Sequence, residues 1–322
     1  MRVLVAGASG VIGRSLVRLL VDAGHEVTGL TRRPERAQQI QTAGAHGVVV
    51  DAFDRDALQA AVAAAHPEVV VNQLTNLPRD YDPRRLEPDF YVVTNRLRRE
   101  AGENLIDAAV KAGARRLVTQ SIAMLYAPEG PMVKDEEGRP ATDAPPPFGE
   151  TVRTVVAHEQ AALAEPGLEA LVLRYGWLYG PGTWYGADGS VAELVRKRRI
   201  PVIPGVRGRF SFIHVMDAAS ATVDACQRGA PGIYNVVDDE PATMAEWLPV
   251  YARSVGAKRP RRLPRWLVAV VLRKTLRRAD GLRGASNAKA KLELGWGPLF
   301  STWRTGFREG LDSAPGAREA RR

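Results

Sequence analysis

The sequence predicts an α/β protein with a doubly wound parallel sheet and a smaller C-terminal lobe. Three observations carry that prediction. Short β-branched runs alternate with helical patterns through the first half, a glycine-rich turn joins the first run to the first helix, and beyond Gly180 the alternation gives way to segments rich in Gly, Pro and charge.

Taken in order, RVLVAG reads as a strand from Arg2, GRSLVRLLVDAG as a helix closed by Gly24, and HEVTGLTR as a second strand. DALQAAVAAA is a helix, PEVVVNQL a strand, residues 95 to 112 an amphipathic helix, and RRLVTQS the strand after it. Helices of this length between strands imply right-handed crossovers, parallel pairing and cover on both faces of the sheet. GPGTWYGADG, IPVIPGVRGRF and KRPRRLPRW read as loops and short elements that close over the strand ends.

The chain has 322 residues, 45% of them hydrophobic and 25% charged, with 45 Lys and Arg against 36 Asp and Glu. That is an ordinary globular composition, and the net charge of +9 favours anionic ligands without identifying one. No nucleic-acid-binding motif accompanies the charge, so nucleic acid is not an expected partner. Cys226 is the single cysteine, which excludes an internal disulfide and fits a reducing cytoplasm. No apolar run reaches the ~18 residues of a membrane span, and MRVLVAGASG moves straight into a strand without a cleavable signal. No metal site is expected.

VAGASGVIGRSL sets Gly7, Gly10 and Gly13 between the first strand and the first helix. A dinucleotide pyrophosphate needs glycine there for a tight turn and close backbone approach, while the helix start offers N–H groups and a favourable dipole. The sheet is therefore expected to be Rossmann-like, with Ser9, Val11 and Ile12 completing the cradle. At the end of the second strand, where NAD-binding folds place an acid for the ribose 2′-OH, the chain has Leu30, Thr31, Arg32 and Arg33. Two guanidiniums and a hydroxyl suit a 2′-phosphate, which favours NADP over NAD. The expected organisation is 1–180, mainly dinucleotide-binding; 181–312, mainly a substrate-binding lobe with some strands returning to the sheet; and 313–322, a disordered tail.

These landmarks, with DAFD at 51–54, VVVNQLT at 69–75, LVTQSIAMLY at 117–126, LRYGWLYGPGT at 173–183, FSFIHVMDAASA at 210–221 and GIYNVVDDEPATMAEW at 232–247, resemble the extended short-chain dehydrogenase/reductase family, in its NAD-dependent epimerase/dehydratase group. The resemblance runs from Met1 to about Phe307. It implies that Asp51 and Ala52 lie by the adenine, that Asn72, Gln73 and Leu74 follow the cofactor ribose, and that Tyr175 and Gly176 approach the nicotinamide. Asn72 also reads as the cap of a strand end. Dimerisation through the two helices after the fourth and fifth strands is the family's habit, so a homodimer is expected by analogy.

The family's reaction uses a Ser or Thr after the fifth strand and a Tyr-x-x-x-Lys pair on the next helix, whose lysine lowers the tyrosine pKa so that the phenol can exchange a proton with the substrate oxygen. Here the chain departs from the family. Counting back from Tyr126 puts Ile122 in the hydroxyl slot, with Ser121 one residue early; Ala123 and Met124 stand where dehydratase relatives have an acidic pair. Matching HEQ to the usual AEQ gives Thr151 and Val155 for Tyr and Lys, and matching PF to PY gives Phe148 and Val152. Trp177 replaces the usual Asn before Gly-Pro-Gly, and Phe210, with Arg209 beside it, replaces the Arg four residues before His214. Trp177, Trp184, Tyr185 and Arg209 are thus expected to face a small substrate with apolar or aromatic faces.

A replacement proton donor is sought among Ser121, Tyr175 and Tyr179, with Tyr126, Tyr185, His158 and Glu150 as further candidates; packing is the commoner role for such aromatics. His158 is expected at the surface and Cys226 buried in a helix. The run from Lys258 to Arg278 holds nine cations and no acid, and reads as a lobe helix with wet charges rather than a membrane-surface element. Two functions remain: an NADP(H)-binding enzyme acting on a small carbonyl or alcohol, the cofactor also being admissible in a non-redox role, or a catalytically silent dinucleotide-binding sensor or scaffold.

Overall fold

The computed structural model describes residues 1–78, 80–82, 91–271 and 273–312, without the side chains of 269–275. The tail assigned to 313–322 lies outside them. Among the described residues one seven-stranded sheet dominates, built from β1 (Arg2–Ala6), β2 (Glu26–Thr31), β3 (His46–Val49), β4 (Val69–Asn72), β5 (Arg116–Ile122), β6 (Glu169–Tyr175) and β7 (Gly232–Val236). The order is β3-β2-β1-β4-β5-β6-β7 and every pairing is parallel. Central β1 and β4 are buried almost throughout, which is why their sequences are continuous apolar runs.

Two apolar layers sandwich the sheet. On one face α1 (Val11–Asp22) packs its Ile12, Leu16, Val17 and Leu20 with α6 (Val215–Gln227), whose buried residues include Cys226. On the other, α3 (Arg55–Ala65) packs with α4 (Gly102–Lys111). α2 (Pro34–Thr42) bridges β2 to β3, and α5 (Phe148–Leu163) bridges β5 to β6. The long helix read over 95 to 112 is interrupted. An α-turn at Val92–Arg96 runs into a π-helical turn at Leu97–Ala101 before α4 begins.

The smaller lobe gathers the helices Ser190–Arg196, Met244–Ser254 and Trp303–Glu309 with two-stranded ribbons, among them Trp177–Tyr179 with Phe212–His214. Its core is aromatic: Tyr179, Tyr185, Phe210, Phe212, Trp247, Tyr251, Trp303 and Phe307 pack together, mostly edge to face. β7 returns from this region to the sheet beside β6. No helix of the described residues is long and apolar enough to cross a membrane.

Candidate functional site: a dinucleotide groove and the end of β5

A groove of about 240 Å³ opens over the C-terminal ends of β1, β2 and β4, where ligands enter open parallel sheets. Ten residues singled out from the sequence line it: Gly7, Ser9, Gly10, Thr31, Arg32, Arg33, Asp51, Ala52, Gln73 and Leu74. Ala6, Arg36, Val50, Thr75 and Leu97 line it as well and were not singled out from the sequence, and Leu30, named there only as the end of the second strand, joins them. Arg36 had a signal, since it follows Arg33 by three residues on a helix opened by Pro34.

The glycines are there for space. Gly7 has φ +86° and a Cβ on it would stand 2.6 Å from the Gln73 carbonyl oxygen; one on Gly13 would stand 2.2 Å from the Gly7 oxygen. Gly10 begins α1 without a side-chain cap and no acid occupies the first turn, so the N–H groups of Val11, Ile12 and Gly13 meet no protein carboxylate. Ser9 Oγ lies 3.2 Å from Thr31 Oγ1, fastening the loop to the end of β2. Arg32 and Arg33 are exposed, and Arg14 is pushed down in pKa by burial and by the neighbouring Arg36 and Arg18 guanidiniums. None of Arg14, Arg32, Arg33 or Arg36 has an ion pair among the described residues, and a site crowded with unpaired cations suits an anion. Cradle and charge together fit a dinucleotide.

Asn72 turns away from the groove. Its Oδ1 accepts from Leu74 N at 3.1 Å, and its Nδ2 lies 3.2 Å from Thr119 Oγ1 and 3.4 Å from His158 Nε2. His158 corrects the surface expectation: it is buried, 2.8 Å from Thr119 Oγ1, in room left by Gly102, whose Cβ would stand 2.7 Å from the ring. Burial, seconded by the Arg98 guanidinium, pushes its pKa down to about 4, so it stays neutral near pH 7.

Ser121 Oγ donates to Glu159 Oε1 at 2.5 Å inside a buried network. Arg174 grips the same carboxylate at both oxygens, at 2.9 Å and 2.6 Å, and donates to the Tyr126 hydroxyl at 3.0 Å, which in turn donates to Asn235. The expected tyrosine donors also turn inward. The Tyr175 hydroxyl accepts from Gln73 Nε2 at 2.9 Å and meets Thr222 Oγ1 at 2.7 Å, while Tyr179 and Tyr185 belong to the lobe's aromatic core. Burial raises the pKa of all three well above the phenol's usual value. Tyr179 and Tyr185 thus lie in the aromatic core, the Tyr179 hydroxyl without a hydrogen-bond partner among the described residues, and the Tyr175 hydroxyl is held by two partners.

Both alignments of the family's acid–base pair end in apolar surroundings. Val152 and Val155 are buried with Ala123, Leu125 and Tyr126, and the Thr151 hydroxyl bonds Pro147 O and Asn95 Nδ2, each at 3.2 Å. No tyrosine anywhere in the chain is followed four residues later by lysine. Of the residues expected to face substrate, Trp184 stacks on Tyr81 with centroids 4.3 Å apart, and Trp177 lies 6.5 Å from Tyr81 and 5.5 Å from Phe210. Gly176 packs against the Ser211 carbonyl, and Arg209 donates to Pro241 O at 2.9 Å within the lobe.

The family model for the NAD dependent epimerase/dehydratase family matches residues 3–236. The chain belongs to that family. Among its relatives, a 3-diazoavenalumate denitrifying reductase from a Streptomyces species is 48% identical over 311 residues, 95% of this chain and 99% of the relative. A 4-hydroxy-2-methyl-3-oxo-4-farnesyl-3,4-dihydroquinoline-1-oxide ketoreductase from Stigmatella aurantiaca is 27% identical over 80% of this chain and 74% of its own length. Solved structures share the fold. The UDP-glucose 4-epimerase of Thermotoga maritima, crystallised with UDP-glucose, has a TM-score of 0.73 at 20% identity over 97% of both chains. The Thermus thermophilus epimerase, solved as a complex with NAD, has 0.69 at 24% identity over 97% of this chain and 98% of its own. The chain is thus an enzyme of the NAD(P)-dependent oxidoreductase and epimerase type.

Proposed function

We propose that the protein is an NADP(H)-dependent reductase that replaces the diazo group of an aromatic carboxylate by hydrogen. The observation that carries this reading is the apolar filling of the acid–base slots by Phe148, Val152 and Val155. Carbonyl reduction creates an alkoxide that must be protonated, which is the task of a tyrosine beside a lysine. A bound reduced nicotinamide supplies hydride, and with an aryldiazonium the balance is Ar–N2⁺ + NADPH → Ar–H + N2 + NADP⁺: the C–N bond breaks, a C–H bond forms, nitrogen leaves neutral and no oxyanion appears. Slots without titratable groups are then adequate, and their apolar side chains keep water from the reacting carbon. The 48% identical relative named for denitrifying 3-diazoavenalumate supports the same chemistry.

The chain's own residues divide the binding. Gly7, Gly10 and the first N–H groups of α1 take the pyrophosphate; Thr31, Arg32 and Arg33 take the 2′-phosphate; Asp51 and Ala52 flank the adenine; Gln73 and Leu74 follow the ribose. Gln73 is itself aimed by the Tyr175 hydroxyl. Trp177 and Trp184 offer the substrate aromatic faces. The buried Cys226, whose thiol burial pushes up to about 12, suits a reducing cytoplasm.

With 3-diazoavenalumate and NADPH deuterated at the transferring position, the protein should release one N2 per NADPH consumed and place deuterium on the carbon that carried nitrogen. Turnover that leaves that carbon protiated sinks the reading. Replacing Arg32 and Arg33 together by Ala should weaken NADPH on the order of 100-fold, because each guanidinium contributes charge-assisted bonds, while NADH binding changes little. Equal losses for the two cofactors would remove the 2′-phosphate assignment.

A further inference from the structure

Arg278 stands out among the cations of the acid-free run. Arg265, the fifth basic residue of that run, is paired with Asp280 at 2.5 Å, and Arg283, just beyond it, is bonded to backbone carbonyls. Arg278 has no ion pair among the described residues, although it is half-buried. Its guanidinium lies 5.0 Å from the ring centroid of Phe148, the residue that occupies the family's tyrosine slot in one alignment. It is hydrogen-bonded to the Tyr91 side chain, and its charge is felt by Tyr81, which stacks on Trp184.

A half-buried guanidinium with no acid among the described residues is costly to keep unless something anionic completes it. Arginine stacked on an aromatic ring still presents its planar fork of donors edge-on, and that fork matches a carboxylate at two oxygens at once. The surroundings add flat aromatic faces, with one further cation, Arg98, acting on Tyr91. A flat organic acid suits this setting better than a diphosphate does.

We propose that Arg278 binds the carboxylate of an aromatic acid and sets that acid's aryl ring among Phe148, Tyr81 and Trp184. The assignment rests on the aromatic-substrate reading above and adds the group that selects the acid. Arg278 is a specificity residue in this role and takes no part in hydride or proton transfer.

The test uses the full-length protein saturated with NADP⁺, titrated with 4-hydroxycinnamate and with its methyl ester, and followed by quenching of tryptophan fluorescence. The acid should bind roughly 10- to 100-fold more tightly than the ester, as loss of a charge-assisted pair predicts. Arg278→Gln should abolish that preference and leave the ester's affinity unchanged, while Arg278→Lys, a point charge without the fork, should keep part of it. NADP⁺ affinity should be the same in all three proteins, which checks the fold. The proposal is overturned if the native protein binds acid and ester alike, if it binds no acid, if Arg278→Gln keeps the preference, or if that variant weakens both probes equally. Binding needs no nitrogen to lose, so failure of diazo turnover with an intact acid preference overturns only the reaction proposed above.

Discussion

Arg174→Met should lower the free energy of unfolding by roughly 3–5 kcal/mol, the usual consequence of removing one partner from a buried ion pair. Arg174 and Glu159 have side chains 3% and 2% exposed and meet through two contacts, at 2.6 Å and 2.9 Å. Burial alone would lower the arginine's pKa, but the Glu159 carboxylate more than offsets it, so the net direction is upward and Arg174 stays charged. Without Arg174 the carboxylate keeps one hydrogen bond among the described residues, from the Ser121 hydroxyl, and the field of the Arg98 guanidinium, too little to replace its hydration. A domain stable by about 5–15 kcal/mol would lose a large part of that margin. The double variant Arg174→Met with Glu159→Gln removes the stranded charge and should recover part of the loss, a coupling that urea titration of the four proteins measures. An Arg174→Met protein within about 1 kcal/mol of the native one would show that water reaches the site.

Gly13→Ala should cost on the order of 100-fold in dinucleotide affinity, since a displacement of about 1 Å in a binding loop is enough for that. The added carbon would stand 2.2 Å from the Gly7 oxygen and 2.8 Å from the Ala8 carbonyl, and backbone on both sides cannot rotate out of the way. The loop must move off α1, taking the N–H groups with it. Gly24→Ala is the matched control. Gly24 has φ +77° but nothing within 4 Å of its Cβ, so that change should cost about 1–2 kcal/mol of stability through the left-handed backbone alone and leave affinity as it was. NADPH fluorescence titration of both variants, with thermal melts beside it, separates the effects. Native-like affinity in Gly13→Ala would mean that the pyrophosphate binds elsewhere.

The sheet was legible where local chemistry dictates structure. β1 and β4 are unbroken runs of Val and Leu, and the glycines between β1 and α1 are demanded by atoms within a few residues or across one strand. β3, only four residues and partly exposed, carries as its signal just the short run Val48–Val50 after Gly47. Ten groove residues could be named because the cradle and the strand ends follow from topology. His158 could not be placed, because its burial depends on Gly102 and Thr119, 56 and 39 residues away along the chain. The inward turn of Tyr175 likewise depends on Thr222 and Gln73. Arg278 was read as one wet charge among nine because its contact with Phe148 joins positions 130 apart. Short-range pattern yields the scaffold and the phosphate site, whereas the substrate end is assembled by pairs that only the folded chain brings together.

The return of β7 to the sheet bears on how the molecule can be cut. Gly232–Val236 caps the open side of β6 after 56 residues of intervening chain, so the nucleotide half is completed by a strand set between two stretches of the smaller lobe, one before it and one after. A fragment truncated at 180 would present β6, buried along nearly its whole length, as a bare and greasy border ready to join another copy. Swapping this lobe for another, as an engineer seeking a new substrate would wish, therefore means replacing both the segment between β6 and β7 and the chain beyond β7 while β7 itself is kept, rather than fusing two modules end to end.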